Sequence, residues 1–390
     1  MYKKPIFTRV ARTLGAPTIA LFLAGTLAVN ANAQDPLTAE YPEVAKLLDA
    51  FDITEAAMFD KLVAINSDPA TRIARNQLEL HFIEMASMDD MGHGGHGGGH
   101  SGHDMEMLAG GAYGEQETAA RAELFQMLRA NHSEEEVQNA YLNSGAINRH
   151  TAMVLTRGRQ LRDRLFEIYV DDSVTNKLRA VNAAIDDYLS DERHSVSPVA
   201  KEFSLVGDNP QATAFATAFP KLSALQWANR WATLAALESI MIEYSDTQFR
   251  NTMNTVLERY WNKVGSEGGM TMFPAPAEQP TAAAIAPHLY SFHPRASIIL
   301  DNLGRLESII FDVLSYPNLD NREELIGTAV SEYTNKETHL SQDYDYLLAA
   351  LRGGIYNQGG PAVGDLERSE RNRSRDEMGH MHTAIMSSPQ

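Results

Sequence analysis

Four histidines, His93, His96, His100 and His103, stand three, four and three residues apart. That spacing lies along one helix face, and four imidazoles on one face are a metal-binding array. The residues between them oppose a preformed helix. Seven glycines lie from Gly92 to Gly102, and each costs roughly 0.8–1 kcal/mol against alanine, about 6 kcal/mol together. The metal-free segment is therefore expected to be unfolded. Several metal–imidazole bonds could offset that cost, because metal binding can drive local folding. Glycine also lets imidazoles converge in many geometries. The segment reads as adaptable capture rather than one rigid site.

Methionines flank it. Met85, Met88 and Met91 form M-x-x-M-x-x-M ahead of the histidines, and Met105 and Met107 form M-x-M behind them. A thioether is soft and suits Cu(I), while imidazole suits Cu(II), Cu(I), zinc and nickel. At i, i+3 spacing on a helix end, Met85 and Met88 could equally be core residues. The motif then recurs: "DDMGH" (Asp89 to His93) and "DEMGH" (Asp376 to His380) are near-copies, and the second continues into Met381, His382 and Met386. Acidic-Met-Gly-His appearing twice in low-complexity surroundings is hard to assign to packing. The expected ligands are Met88, Met91, His93, His96, His100, His103, Met105, Met107, Met378, His380, Met381 and His382, with copper as the ion and zinc or nickel as alternatives. Asp89, Asp90, Asp104 and Glu106 would raise the local cation concentration more than they ligate. This composition resembles the Met/His-rich tracts of periplasmic copper-resistance and copper-chaperone proteins. The resemblance is confined to the two tracts and implies nothing about the rest of the chain.

Elsewhere the chemistry is sparser. "HLYSFH" brackets His288 and His293 between prolines, after Met270 and Met272. It could be a third site or a loop with satisfied histidines. His150 and His339 stand singly on helices, as structural or surface histidines do. "LHFIEM" sets His81 and Glu84 three apart and resembles the H-x-x-E of imelysin-type helical periplasmic proteins linked to iron uptake. Glu79 stands where that family has glycine. The resemblance would imply a metal site at the base of the His-rich loop. Glu377 and His380 form the chain's one E-x-x-H, too few for a ferritin-like di-iron bundle. There is no nucleophile elbow, P-loop or H-E-x-x-H, so no reaction is named.

These segments need a body to carry them. The 390 residues include no cysteine, which excludes disulfides, thiolate metal sites and iron–sulfur clusters. Residues 1–33 read as a secretory signal peptide: Lys3, Lys4, Arg9 and Arg12, an apolar stretch from Ile19 to Val29, then Ala31-Asn32-Ala33. The apolar run is shorter than the ~20 residues that span a bilayer. A cleaved, periplasmic or secreted protein is expected. Its net charge would move from −18 to −22, since the signal carries four of the 33 Lys and Arg and none of the 51 acids. That acidity disfavours nucleic acid and anionic lipid.

The expected fold is all-α, a multi-helix bundle in one large or two packed units. The helical domain covers 34–355, interrupted by a flexible His/Met/Gly-rich loop at 89–114 and a Gly/Pro linker at 265–280, and a flexible tail covers 356–390. Helical spacing of apolar residues marks Tyr41–Ile65, Asp68–Met88, Ser133–Val170, Ser173–Ser190, Pro220–Ser245, Pro294–Ser315 and Asn321–Arg352. Asp68 with Pro69, and the capping box Ser133/Glu136, mark two starts, and Asn143-Ser144-Gly145 marks a break. Pro220–Ser245 is apolar nearly all round and should be central, with Trp227 and Trp231 facing the same way. The functional expectation is an exported metal-binding protein for copper capture, buffering or delivery, with another periplasmic metalloprotein or an exporter as partner. The alternatives are a zinc or nickel scavenger, an envelope scaffold whose tracts are linkers, and a helical-bundle redox enzyme.

Overall fold

The structure is a computed structural model describing residues 35–89, 111–201, 210–245, 252–265 and 279–337; of 86–89 only the helical backbone is described. The described residues form helices and no strand. In order they are α1 (Pro36–Glu40), α2 (Pro42–Ser67), a 3₁₀ turn (Pro69–Thr71), α3 (Arg72–Asp89), α4 (Gly114–Arg129), α5 (Glu134–Gln138), α6 (Ala140–Asn143), α7 (Arg149–Val170), α8 (Lys177–Ser190), α9 (Ala214–Ala218), α10 (Pro220–Ser245), α11 (Thr252–Val264), α12 (Ala282–Ile285), α13 (Pro287–Phe292), α14 (Pro294–Ser315) and α15 (Arg322–Thr334).

Local chemistry sets many of the starts. Pro36, Pro42, Pro220, Pro287 and Pro294 each open a helix, where a missing N–H costs nothing. Asp35, Asn148 and Asn176 accept the free N–H of Thr38, Thr151 and Arg179, each at 2.9 Å. Ser133 and Glu136 form the expected capping box. The expected break at Asn143–Gly145 separates α6 from α7.

Four long helices build the centre. Both α2 and α7 pack against α10 and against α14, so the four stand as a square with α2 opposite α7. Helices α10 and α14 are buried along most of their length. Trp227 and Trp231 do share a face: the Lys263 ammonium of α11 lies 5.7 and 4.8 Å from their ring centres. One hydrophobic core runs through the bundle and takes in α4, α8, α9, α11 and α15.

Four helix starts use carboxylates from other helices. Asp301 of α14 accepts from Ala282 N–H of α12 at 2.8 Å. Glu238 of α10 accepts from His288 and Leu289 N–H of α13. Glu117 of α4 accepts from Lys221 and Leu222 N–H of α10, at 2.6 and 3.0 Å. Asp312 of α14 accepts from Phe215 N–H of α9 at 2.9 Å. Each places an acid on the positive end of a helix dipole. Asp301 and Glu238 thereby turn "HLYSFH" and its approach, which the sequence leaves open to a loop, into two short helices.

Candidate functional site

Met88 lies in the last turn of α3, where only the backbone is described. Met91, His93, His96, His100, His103, Met105, Met107, Met378, His380, Met381 and His382 lie outside the described residues, as do His339, Met270 and Met272. What is described is the frame from which the first tract departs and to which it returns. Helix α3 is held on one side: Phe82 stacks on Tyr316 with ring centres 5.0 Å apart, and Asn318 donates to Glu79 at 2.6 Å. Its other side leaves Ile73, Leu80 and Ile83 exposed, and Met85, one turn beyond Phe82, is 50% exposed. The Met85 thioether is therefore not a core residue. The described chain resumes at Gly111, whose φ of +76° suits glycine and whose added Cβ would lie 2.7 Å from Pro220. Tyr113 then enters the core, stacking on Phe219 at 4.8 Å and donating to Asn66 Oδ1 at 2.6 Å.

His288 and His293 go to separate partners. His288 Nδ1 is 2.5 Å from Glu238 Oε1. His293 Nε2 is 2.6 Å from the Tyr169 hydroxyl, and burial pushes its pKa down to about 4. His288 lies on α13, and His293 caps its end with Nδ1 buried and without a hydrogen-bond partner. His81 is part-buried on α3 and Glu84 exposed. Among the described residues, no group of three or more His, Asp or Glu is placed to hold a metal ion.

A polar constellation that the sequence pattern does not reveal lies on the bundle axis. A cavity of about 80 Å³ is lined from all four central helices, by Asp52 and Glu55 of α2, Arg159 and Arg162 of α7, Gln226, Asn229 and Arg230 of α10, and Glu307 of α14. On α2, α7 and α10 these residues recur at three- or four-residue spacing, so each of those helices turns one polar strip inward, and α14 adds Glu307. Arg162 donates to both oxygens of Asp52, from Nη1 and Nη2, each at 2.8 Å. The same guanidinium donates to Asp163, which also accepts from Arg159 Nη1 at 3.1 Å. Arg230 donates to Pro280 O at 3.1 Å and Leu300 O at 2.9 Å, and its Nη1 is 3.6 Å from Glu307.

Three guanidiniums thus face three carboxyls. Burial pushes Asp52 up, while the paired Arg162 opposes that shift. Glu55 has no such partner. Burial first, then the nearby Glu307, hold its carboxyl well above the usual range. Its Oε1 is buried without a hydrogen-bond partner, and so is Nε of Arg159. The carboxylates here answer arginines rather than sharing a cation. The strip can bind water or a small polar molecule; it lacks the Glu/His pairs of a di-iron bundle.

No protein-family model, curated protein or solved structure matches the chain.

Proposed function

We propose that the chain is an exported metal-binding protein whose helical body displays two His/Met-rich segments that capture copper for buffering, detoxification or delivery. The observation that carries this reading is the recurrence of Asp-Asp-Met-Gly-His at 89–93 as Asp-Glu-Met-Gly-His at 376–380, each beside further His and Met. Without any cysteine, thioether and imidazole are the soft and borderline ligands on offer, a set that favours copper over zinc or nickel. The exposed Met85 thioether on the last turns of α3 supports the same reading. No helix among the described residues is long and apolar enough to cross a membrane.

The test is a titration with Cu(I), Cu(II), Zn(II) and Ni(II). It compares the intact chain with one lacking 89–111 and everything after 375, and with one carrying leucine at Met91, Met105, Met107, Met378 and Met381. The intact chain should bind several Cu(I), the trimmed chain should lose them, and the leucine variant should lose Cu(I) affinity while keeping Zn(II). Capture should also weaken as pH falls through about 6.5, where imidazole protonates. Equal copper binding by trimmed and intact chains would remove the reading. Leucine variants with unchanged Cu(I) affinity would turn it toward a zinc or nickel scavenger.

The axial cavity favours a second reading, in which the body binds a small polar molecule through Glu55 and Arg159. It predicts a ligand that raises the melting temperature of the natural chain but not of Arg159→Met. If no small carboxylate, amine or amino acid does so, the strip is purely structural.

A further inference from the structure

His150 stands in the first turn of α7, and His194 lies in the turn after α8. The fold brings their ring centres to 5.3 Å, with the ring planes at 58°. His194 is already oriented. Its Nδ1 lies 3.1 and 3.0 Å from the two Asp191 oxygens, and Asp191 is in turn 3.8 Å from Arg157 Nε. A carboxylate on Nδ1–H fixes the tautomer and leaves the Nε2 lone pair free, which is how an acid behind a histidine prepares it for a metal. His150 offers the complement: its Nδ1 is buried and has no hydrogen-bond partner. Burial, His194 and Arg193 together hold His150 below its ordinary pKa, with Asp191 opposing them.

We propose that His150 and His194 form a two-coordinate Cu(I) site on the helical body. Metal–imidazole bonds near 2.0 Å put ring centres at most about 6 Å apart across a single ion. At the observed 5.3 Å the two rings would meet one ion at an angle of about 120°, so near-linear coordination draws the ring centres apart toward that limit. The number of donors selects the ion. Structural zinc takes four ligands, and the one further candidate here, Asp191, is already held by His194 and Arg157. A closed-shell monovalent ion is content with two neutral nitrogens. Asp191 behind His194 also offsets part of its charge. The site rests on the copper reading for its purpose, as a place on the body that receives ions from the two segments; its chemistry rests on the two rings.

The experiment is an anaerobic Cu(I) titration against a chromophoric chelator, with X-ray absorption at the copper edge. It uses the full chain in which the tract histidines 93, 96, 100, 103, 380 and 382 are alanine and the tract methionines 85, 88, 91, 105, 107, 378, 381 and 386 are leucine. That silenced chain should keep one Cu(I), bound by two nitrogens and no sulfur. Adding His194→Ala or His150→Ala should abolish it. Adding Asp191→Asn should weaken it roughly 10–100-fold, the usual effect of losing the acid behind a ligating histidine. Circular dichroism checks that each variant folds; should His150→Ala unfold, Asp191→Asn and the absorption spectrum decide. A silenced chain that takes up no Cu(I), or one whose ion ignores His194→Ala, overturns the inference. The two proposals fail separately. A natural chain that binds one ion, lost with His194, leaves the pair standing and removes the segments; several ions that all vanish on silencing do the reverse.

Discussion

Replacing Arg162 by alanine would leave Asp52, 2% exposed, without the two hydrogen bonds that match its charge. Breaking one half of a buried pair costs roughly 3–5 kcal/mol, whereas replacing both halves by apolar residues is often neutral. Arg162→Ala should therefore lower the urea midpoint sharply, and Asp52→Leu with Arg162→Met should recover much of it. A double variant as weak as the single one would mean that Asp163, the other acid on Arg162, matters as much as Asp52. Asp312 has no cation in reach of its side chain in this way. Burial pushes its carboxyl up to about 7, against the N–H groups of Phe215 and Thr213, which pull it down. From its ordinary 3.8 up to about 7 the folded chain holds a proton that the unfolded chain has released. Stability from this group is thus present at low pH and lost as pH rises through that window. Glu117, pushed up to about 7 by burial, acts in the same sense. His293, pushed down to about 4 from 6.5, acts oppositely, since there the unfolded chain holds the extra proton. Asp312→Asn, which still accepts from Phe215, should gain stability relative to the natural chain as pH rises from about 4 to about 7. A stability difference that stays flat across that range, measured by denaturant titration at each pH, would show Asp312 ionised in the fold throughout.

Glycine inside a helix normally costs about 1 kcal/mol against alanine, and two such glycines here should respond in opposite directions. A Cβ on Gly304 of α14 would fall 1.6 Å from the Arg230 guanidinium carbon, while one on Gly327 of α15 would meet nothing within 4 Å. Gly304→Ala must push Arg230 away from Pro280, Leu300 and Asp301, and should destabilise by about 1–3 kcal/mol, as overpacked sites do. Gly327→Ala should stabilise by roughly 0.5–1 kcal/mol. Denaturant midpoints that move the same way would mean that Arg230 gives way freely and that its hydrogen bonds hold little. The two sites also mark where the sequence was legible. Helix starts written in neighbouring residues, such as Ser133 with Glu136 or Pro294, could be read directly, and so could the central place of α10 from its apolar circumference. Helix α12 could not, because its start is held by Asp301 from another helix. Asp52, Arg159, Arg162, Arg230 and Glu307 each pass for a solvated charge on an amphipathic helix. Only the square of four helices turns them onto one cavity. His150 looks solitary for the same reason, since its neighbour comes from the far end of α8.

At the scale of the whole molecule, the question is whether captured metal and the helical body know of each other. A ligand stabilises a fold only as far as it prefers the folded chain to the unfolded one. The histidines and methionines of 85–107 and 378–386 are close in sequence within each tract, so an unfolded chain offers them almost as well as a folded one. Copper held there should leave the unfolding midpoint nearly unchanged. His150 and His194 are different, because α7 and the turn after α8 bring them together only on folding. Copper on that pair should stabilise the body by about 2.7 kcal/mol when free Cu(I) stands at 100 times its dissociation constant. The measurement is anaerobic thermal unfolding of the natural chain, the tract-silenced chain and His194→Ala, each with and without Cu(I). The natural and silenced chains should gain the same shift and His194→Ala none. A shift that survives in His194→Ala but disappears on silencing would mean that a loaded tract docks on the bundle. The exposed Ile73, Leu80, Ile83 and Met85 of α3 are then the first residues to substitute, because that helix leads directly into the first tract.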